Sequence, residues 1–190
     1  MYRKFLSSLL AVFLLGLASL AWADEYDDTV KVFLNAGESG AFFSKSYGYA
    51  VFPTIGKGGV GIGGAYGKGR VYEKGKYIGD TSMTQVTAGL QLGGQAYSQI
   101  VFFQDERALK EFTGGNFEFG AEASAVAITA AAGAKANTGG SSAGASGGKN
   151  DAKTVGSFNK GMATFTVAKG GLMYEASIGG QKFKYTPKKS

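Results

Sequence analysis

Five cations crowd one short stretch of the chain, Lys57, Lys68, Arg70, Lys74 and Lys76, and Tyr66, Tyr72 and Tyr77 fall between them. Lysine and arginine supply charge-assisted hydrogen bonds to phosphate, and tyrosine suits the boundary between water and lipid. The pattern therefore fits a surface that docks on anionic lipid headgroups. A plainer role fits too: lysines keep a hairpin soluble and blunt an exposed strand edge, and the spacing alone favours that role. Lys182, Lys184, Lys188 and Lys189 raise the same question near the C-terminus.

Other chemistry is sparse. The 190 residues include no histidine and no cysteine. A Ser-His-Asp triad, a thiol nucleophile and the usual zinc ligands are therefore excluded. Asp80, Asp105, Glu106, Glu118 and Glu122 form no recognisable acid–base pair, so the expectation is a protein that is not an enzyme, with no cofactor and no metal. Gly56-x-Gly58-x-x-Gly61 and Gly59-x-Gly61-x-x-Gly64 match the dinucleotide fingerprint, but that motif needs a helix to follow, and here a glycine-dense alternating run follows. Gly140-Ser-Ser142-Ala-Gly144 and Gly144-Ala-Ser146-Gly-Gly148 match the nucleophile-elbow pattern inside a low-complexity tract, where chance matches are expected.

The elements that must position the cations centre on Tyr47–Gly67. From Gly58 on, period-two alternation predicts a strand with Val60, Ile62 and Tyr66 on one face and Gly59, Gly61, Gly63, Ala65 and Gly67 on the other. A bare glycine face marks the close approach of a backbone, a ring or a ligand. Tyr49–Ile55 reads as a strand that Pro53 assigns to an edge or a strand end. Residues 70–78 read as a hairpin turning at Gly75.

Thr84–Phe103 alternates as one strand, or as two with a kink at Gly93–Gly94. Val86, Ala88, Ile100 and Phe102 face one way, and Thr87, Gln95 and Gln99 the other. Asp105 caps a helix that carries Leu109 and Phe112 and ends at Gly114. Residues 24–34 read as an amphipathic helix, 41–46 as a further turn and 117–134 as strand. The C-terminus reads as a meander of 162–168, a Gly170–Gly171 turn, 172–178, a Gly179–Gly180 turn and 182–186. A Gly/Ser/Ala tract over 137–151 reads as a mobile loop. The fold class is α+β: a curved, largely antiparallel sheet with a few short helices, its closure into a barrel left open.

Residues 1–23 read as a signal peptide, with Arg3 and Lys4 before an apolar Phe5–Leu20 and an Ala21-Trp22-Ala23 cleavage site. The expectation is one domain over 24–190, periplasmic or secreted. Losing Arg3 and Lys4 takes the net charge from +6 to about +4, enough for an anionic surface and too little to argue for nucleic acid. Without a cysteine at the cleavage point the chain is not a lipoprotein.

Tyr47-Gly-Tyr-Ala-Val-Phe-Pro53, Gly56-Lys-Gly-Gly-Val-Gly-Ile-Gly-Gly-Ala-Tyr-Gly67, Gly89-Leu-Gln-Leu-Gly-Gly-Gln95, Phe103–Phe112 and Lys169-Gly-Gly-Leu-Met173 resemble the SYLF domain family over roughly residues 27–185. Eukaryotic members of that family are lipid-binding modules, fungal ones also bind actin, and bacterial ones are exported envelope proteins. The resemblance implies a lipid-binding domain, with anionic phospholipid the sensible ligand for an exported chain. A structural protein that binds a partner, or itself, through the glycine-rich strand is the alternative, and a carrier enclosing an apolar ligand between sheet and helices is a third.

Overall fold

A computed structural model describes residues 25–89, 95–128, 158–169 and 177–190. Residues 25–35 form helix α1, followed by the short helices α2 (Gly37–Gly40) and α3 (Phe42–Lys45). Strands β1 (Gly48–Glu73), β2 (Lys76–Gly89) and β3 (Gln95–Phe103) come next, then helix α4 (Glu106–Thr113). Strands β4 (Asn116–Glu118), β5 (Val126–Ile128), β6 (Met162–Lys169) and β7 (Lys182–Pro187) complete the described elements.

The strands form one sheet in the order β4-β7-β2-β1-β3-β6-β5. Every pairing is antiparallel except β5 with β6. The α+β reading therefore holds. Among the described residues the sheet is open, since β4 and β5 stand at opposite ends of that order. The signal peptide, the Gly93–Gly94 kink, the 137–151 tract with its nucleophile-elbow matches, and the Gly170–Gly171 turn with most of 172–178 lie outside the described residues.

The sheet has a core on each face. On one, Phe52, Val71, Met83, Val101, Phe103 and Phe183 pack with Leu109 and Phe112 of α4. The α4 cap is the expected one, with the Ala108 amide donating to Asp105 Oδ1 at 2.9 Å. On the other, Val51, Ile100, Phe102 and Phe165 pack with Phe33 of α1 and Phe42 of α3. β3 is thus buried on both sides from Tyr97 on, and its last four residues, Ile100 to Phe103, are all apolar.

Two expectations need correction. Gln99 was assigned to a polar face, yet it is fully buried in the first core. It exchanges amide hydrogen bonds with Gln181 at 2.8 and 3.0 Å, and Gln181 also donates to the Tyr97 hydroxyl at 3.3 Å. A buried amide is tolerable because its partners are in place. Pro53 lies at neither an edge nor an end. It sits within β1 at a register shift between Phe52 and Ile55, where its missing N–H costs no ladder bond, and its carbonyl accepts from the Ser98 hydroxyl at 2.6 Å.

The glycine run is not one straight strand. A methyl placed on Gly69 would lie 2.6 Å from the Phe52 ring and 2.8 Å from the Val51 carbonyl oxygen. One on Gly67 would lie 3.0 Å from the Thr54 carbonyl, and one on Gly63 2.6 Å from the Gly58 carbonyl. At the far end the Lys74 amide donates to the Tyr47 carbonyl at 2.9 Å. These contacts run in opposite directions along the chain, so β1 doubles back on itself over 59–62. Gly59 and Gly61, at φ 146° and 75°, permit the reversal. The first arm, 48–57, pairs with β3 and the second, 61–73, with β2. The bare face is filled by the protein's own first arm.

Candidate functional site

The second arm of β1 and its partner β2 form a ribbon, and the structure distributes the expected site residues along it. At one end the chain turns through Lys74 and Gly75, both at positive φ (49° and 80°), as a two-residue hairpin turn requires. Around this turn the aromatic and cationic residues grip one another. The Arg70 guanidinium lies 4.2 Å from the Tyr26 ring centroid and 5.1 Å from that of Tyr77. Tyr72 stacks on Tyr49 at 5.0 Å, and Lys188 stands 5.3 Å from the Tyr77 ring. Lys74 lies 5.1 Å from the Tyr47 ring. Arg70, Tyr72 and Tyr77 thus clasp α1 to the sheet through Tyr26, a structural employment of residues whose spacing suggested a binding patch. Tyr26, Tyr49 and Lys188 carry no sequence signal of this role, because only the tertiary fold brings them to the ribbon.

Two hydroxyls in the clasp are tied to carboxylates: Tyr47 donates to Glu73 Oε1 and Tyr77 to Asp80 Oδ1, each at 2.7 Å. The Glu73 bond is the main reason the Tyr47 phenol is pushed up to about 12. Burial, then the Asp80 bond, does the same for Tyr77, and burial alone leads for Tyr49 and Tyr97, each also at about 12. All four are neutral phenols throughout the physiological range.

Tyr66 and Lys68 lie farther along the same face, exposed and beyond the helices. Lys76 is exposed beside the turn. Lys57 belongs to the other arm: it pairs with Gln95, two positions past Ile55, whose side chain faces the first core. Alternation puts Lys57 on that side, away from Tyr66 and Lys68. The eight residues therefore make a clasp, an exposed pair and two outliers.

Beyond Tyr66 the ribbon ends in apolar side chains that the alternation pattern did not single out as exposed. Val60, Ile62 and Val86 are 79%, 75% and 82% exposed, and Tyr66 51%. In β2, Gln85 points inward and donates to the Gly179 carbonyl at 2.9 Å, while Val86 points out. Elsewhere, a cleft of about 190 Å³ lined by Phe119, Met162, Ile178, Glu118 and Glu122 lies against β4 and β6. Small-molecule sites typically occupy several hundred Å³. Among the described residues no group of three acidic side chains is close enough to hold a metal ion.

The described residues thus form an open, largely antiparallel sheet that carries a cation-and-tyrosine ribbon. The chain belongs to the Ysc84 family, described as "Las17-binding protein actin regulator", whose model matches residues 84–188, just over half of the chain. This is the SYLF resemblance legible in the sequence. The chain is also similar to beta cell expansion factor A of Aeromonas veronii, 27% identical over 158 residues covering 81% of this chain. It spans about half (51%) of that relative's length.

Proposed function

We propose that this chain is an exported, non-catalytic domain of the cell envelope that docks on anionic phospholipid headgroups. The observation that carries the reading is the exposed Tyr66–Lys68 stretch on a ribbon whose turn end adds Lys74 and Lys76. From Thr54 to Tyr72 and from Thr81 to Gln104 the sequence holds no acidic residue, so phosphate meets no ribbon carboxylate around Tyr66 and Lys68, whereas Glu73 and Asp80 stand beside the turn-end cations. Lysines engage phosphate, tyrosine lies at the interface, and Arg70, Tyr72 and Tyr77 keep the ribbon rigid; Lys57 meets headgroups only if the bilayer wraps the end of the sheet. Export rests on Arg3, Lys4 and the Ala21-Trp22-Ala23 site, and N-terminal sequencing of the exported protein should begin at Asp24.

Co-sedimentation of residues 24–190 with liposomes tests the reading. Binding to anionic but not zwitterionic vesicles, lost at high salt, supports it. Combined Lys68→Gln, Lys74→Gln and Lys76→Gln should weaken binding and flatten its salt dependence, and unchanged binding would sink it. The family description, which names a protein partner, favours a second reading as an envelope interaction protein that binds a partner or itself. Concentration-dependent mass in light scattering without lipid would support that one.

A further inference from the structure

The reversal in β1 places two large aliphatic side chains at the extremity of the sheet. Val60 and Ile62 occupy the turn itself, and Gly59, Gly61 and Gly63 around them have no side chains to shield them. Ile62 pairs with Ala88 and Gly64 with Val86, so Ile62, Val86 and Tyr66 share one face of the ribbon. A soluble protein ordinarily keeps such residues inside, and here Gln85 is buried while Val86 faces water.

The order along that face is graded. Ile62 comes first, Tyr66 about 13 Å behind it and Lys68 about 20 Å behind, at roughly 3.3 Å per residue. An element that enters a bilayer edge-on requires this sequence: aliphatic groups at the acyl boundary, a tyrosine among the headgroups and a cation at the phosphates. Charge agrees with that orientation. Lys169 of β6 lies at the same end of the sheet, across β3 from Gly56, and its ammonium donates to the Thr54 hydroxyl at 2.6 Å. Among the described residues a carboxylate approaches this end at Glu25, which accepts from the Thr54 hydroxyl at 3.2 Å.

We propose that the β1 reversal is a membrane-insertion tip, with Val60, Ile62 and Val86 entering the acyl boundary of an anionic bilayer while Tyr66 and Lys68 stop at the headgroups. This rests on the membrane-binding reading and adds what that reading lacks, an apolar and salt-resistant component and a fixed orientation. Because Val60 and Ile62 are exposed and belong to neither core, substitutions of these two side chains leave both cores untouched.

The sole tryptophan is Trp22, so residues 24–190 contain none and a single reporter can be introduced. Ile62→Trp, with Lys45→Trp on α3, beside the turn end of the sheet, as the control, is mixed with phosphatidylcholine/phosphatidylglycerol vesicles brominated on the acyl chains. The expected result is a blue shift and quenching for Ile62→Trp alone. Val60→Asp combined with Ile62→Asp should weaken high-salt vesicle partition by about tenfold or more without changing the thermal midpoint. Vesicle binding with no quenching, with equal quenching at both ends, or undiminished in the double aspartate variant would overturn the tip and leave headgroup docking standing. No vesicle binding at all overturns both. A blue shift that grows with protein concentration in the absence of vesicles would make the tip a contact between copies, and overturn the proposal.

Discussion

Tyrosine and lysine stand towards both ends of the β1–β2 ribbon, and the two ends do opposite things. At the Lys74–Gly75 turn, tyrosines and cations face one another, and their interactions are spent inside the molecule, holding α1 down. At the Gly59–Ile62 reversal the aliphatic side chains face solvent, and the chain neighbours Gly59, Gly61 and Gly63 have no side chains to cover them. An aromatic and a cation are thus not a binding site by composition. What matters is whether the fold turns them towards each other or away.

Alkali should expose the contrast most strongly. Tyr47, Tyr49, Tyr77 and Tyr97 have folded-state values of about 12 against 10.0 for the free phenol. A raised value means that the neutral form is favoured by folding, so this stability is fully present below pH 10 and drains away between about 10 and 12. Unfolding followed by circular dichroism should therefore accompany the rise in tyrosinate absorbance in that window. Ionisation well below pH 10 with the fold intact would show that the clasp is loose.

Next in size is Phe52→Ala, which removes a ring that packs on Phe183 at 5.6 Å and lies over Gly69, at a cost of about 3–5 kcal/mol in urea unfolding. Gly69→Val should cost about 1–3 kcal/mol or more, because its Cβ would enter that same ring and the Val51 carbonyl. Gln99→Ala strands the Gln181 amide and should cost about 1–3 kcal/mol, most of it recovered when both are replaced by leucine. Arg70→Ala should cost about 1 kcal/mol and raise amide exchange in 25–35 selectively. Gly56→Ala and Gly58→Ala, where a new methyl meets nothing within 4 Å, should change stability by less than about 0.5 kcal/mol. A large loss there would mean that the two arms of β1 are packed along their whole length.

Much of this was legible in the residues. Asp105, Leu109 and Phe112 announce α4 through a local cap and a 3.6-residue stripe, and Lys74–Gly75 announces a turn through conformational preference alone. The glycine run was correctly marked as a place of close approach, but a period-two pattern is the same for one straight strand and for two arms of a hairpin. Only the partners of Gly63, Gly67 and Gly69 distinguish them. Gln99 and Val86 misled in complementary ways. Polarity predicts burial only on average, and a reciprocal amide pair across 82 residues of sequence leaves no local trace. The site residues were chosen by proximity in sequence, which put Lys57 in the group, whereas it belongs to the first arm of β1 and alternation turns it to the first core's side of the sheet.

The last strand has a consequence for how the molecule is made. β7 enters the sheet beside β2, pairing Gly79 with Pro187 and Thr84 with Lys182, residues roughly a hundred apart in sequence, and the Gln99–Gln181 pair reaches nearly as far. Until β7 has been synthesised, β2 presents an open edge and the first core lacks Phe183. The domain cannot complete itself before that strand is made. On the proposed export route, in which the polypeptide threads a translocon unfolded, that delay is an asset: the sheet is completed only after β7 has emerged on the far side.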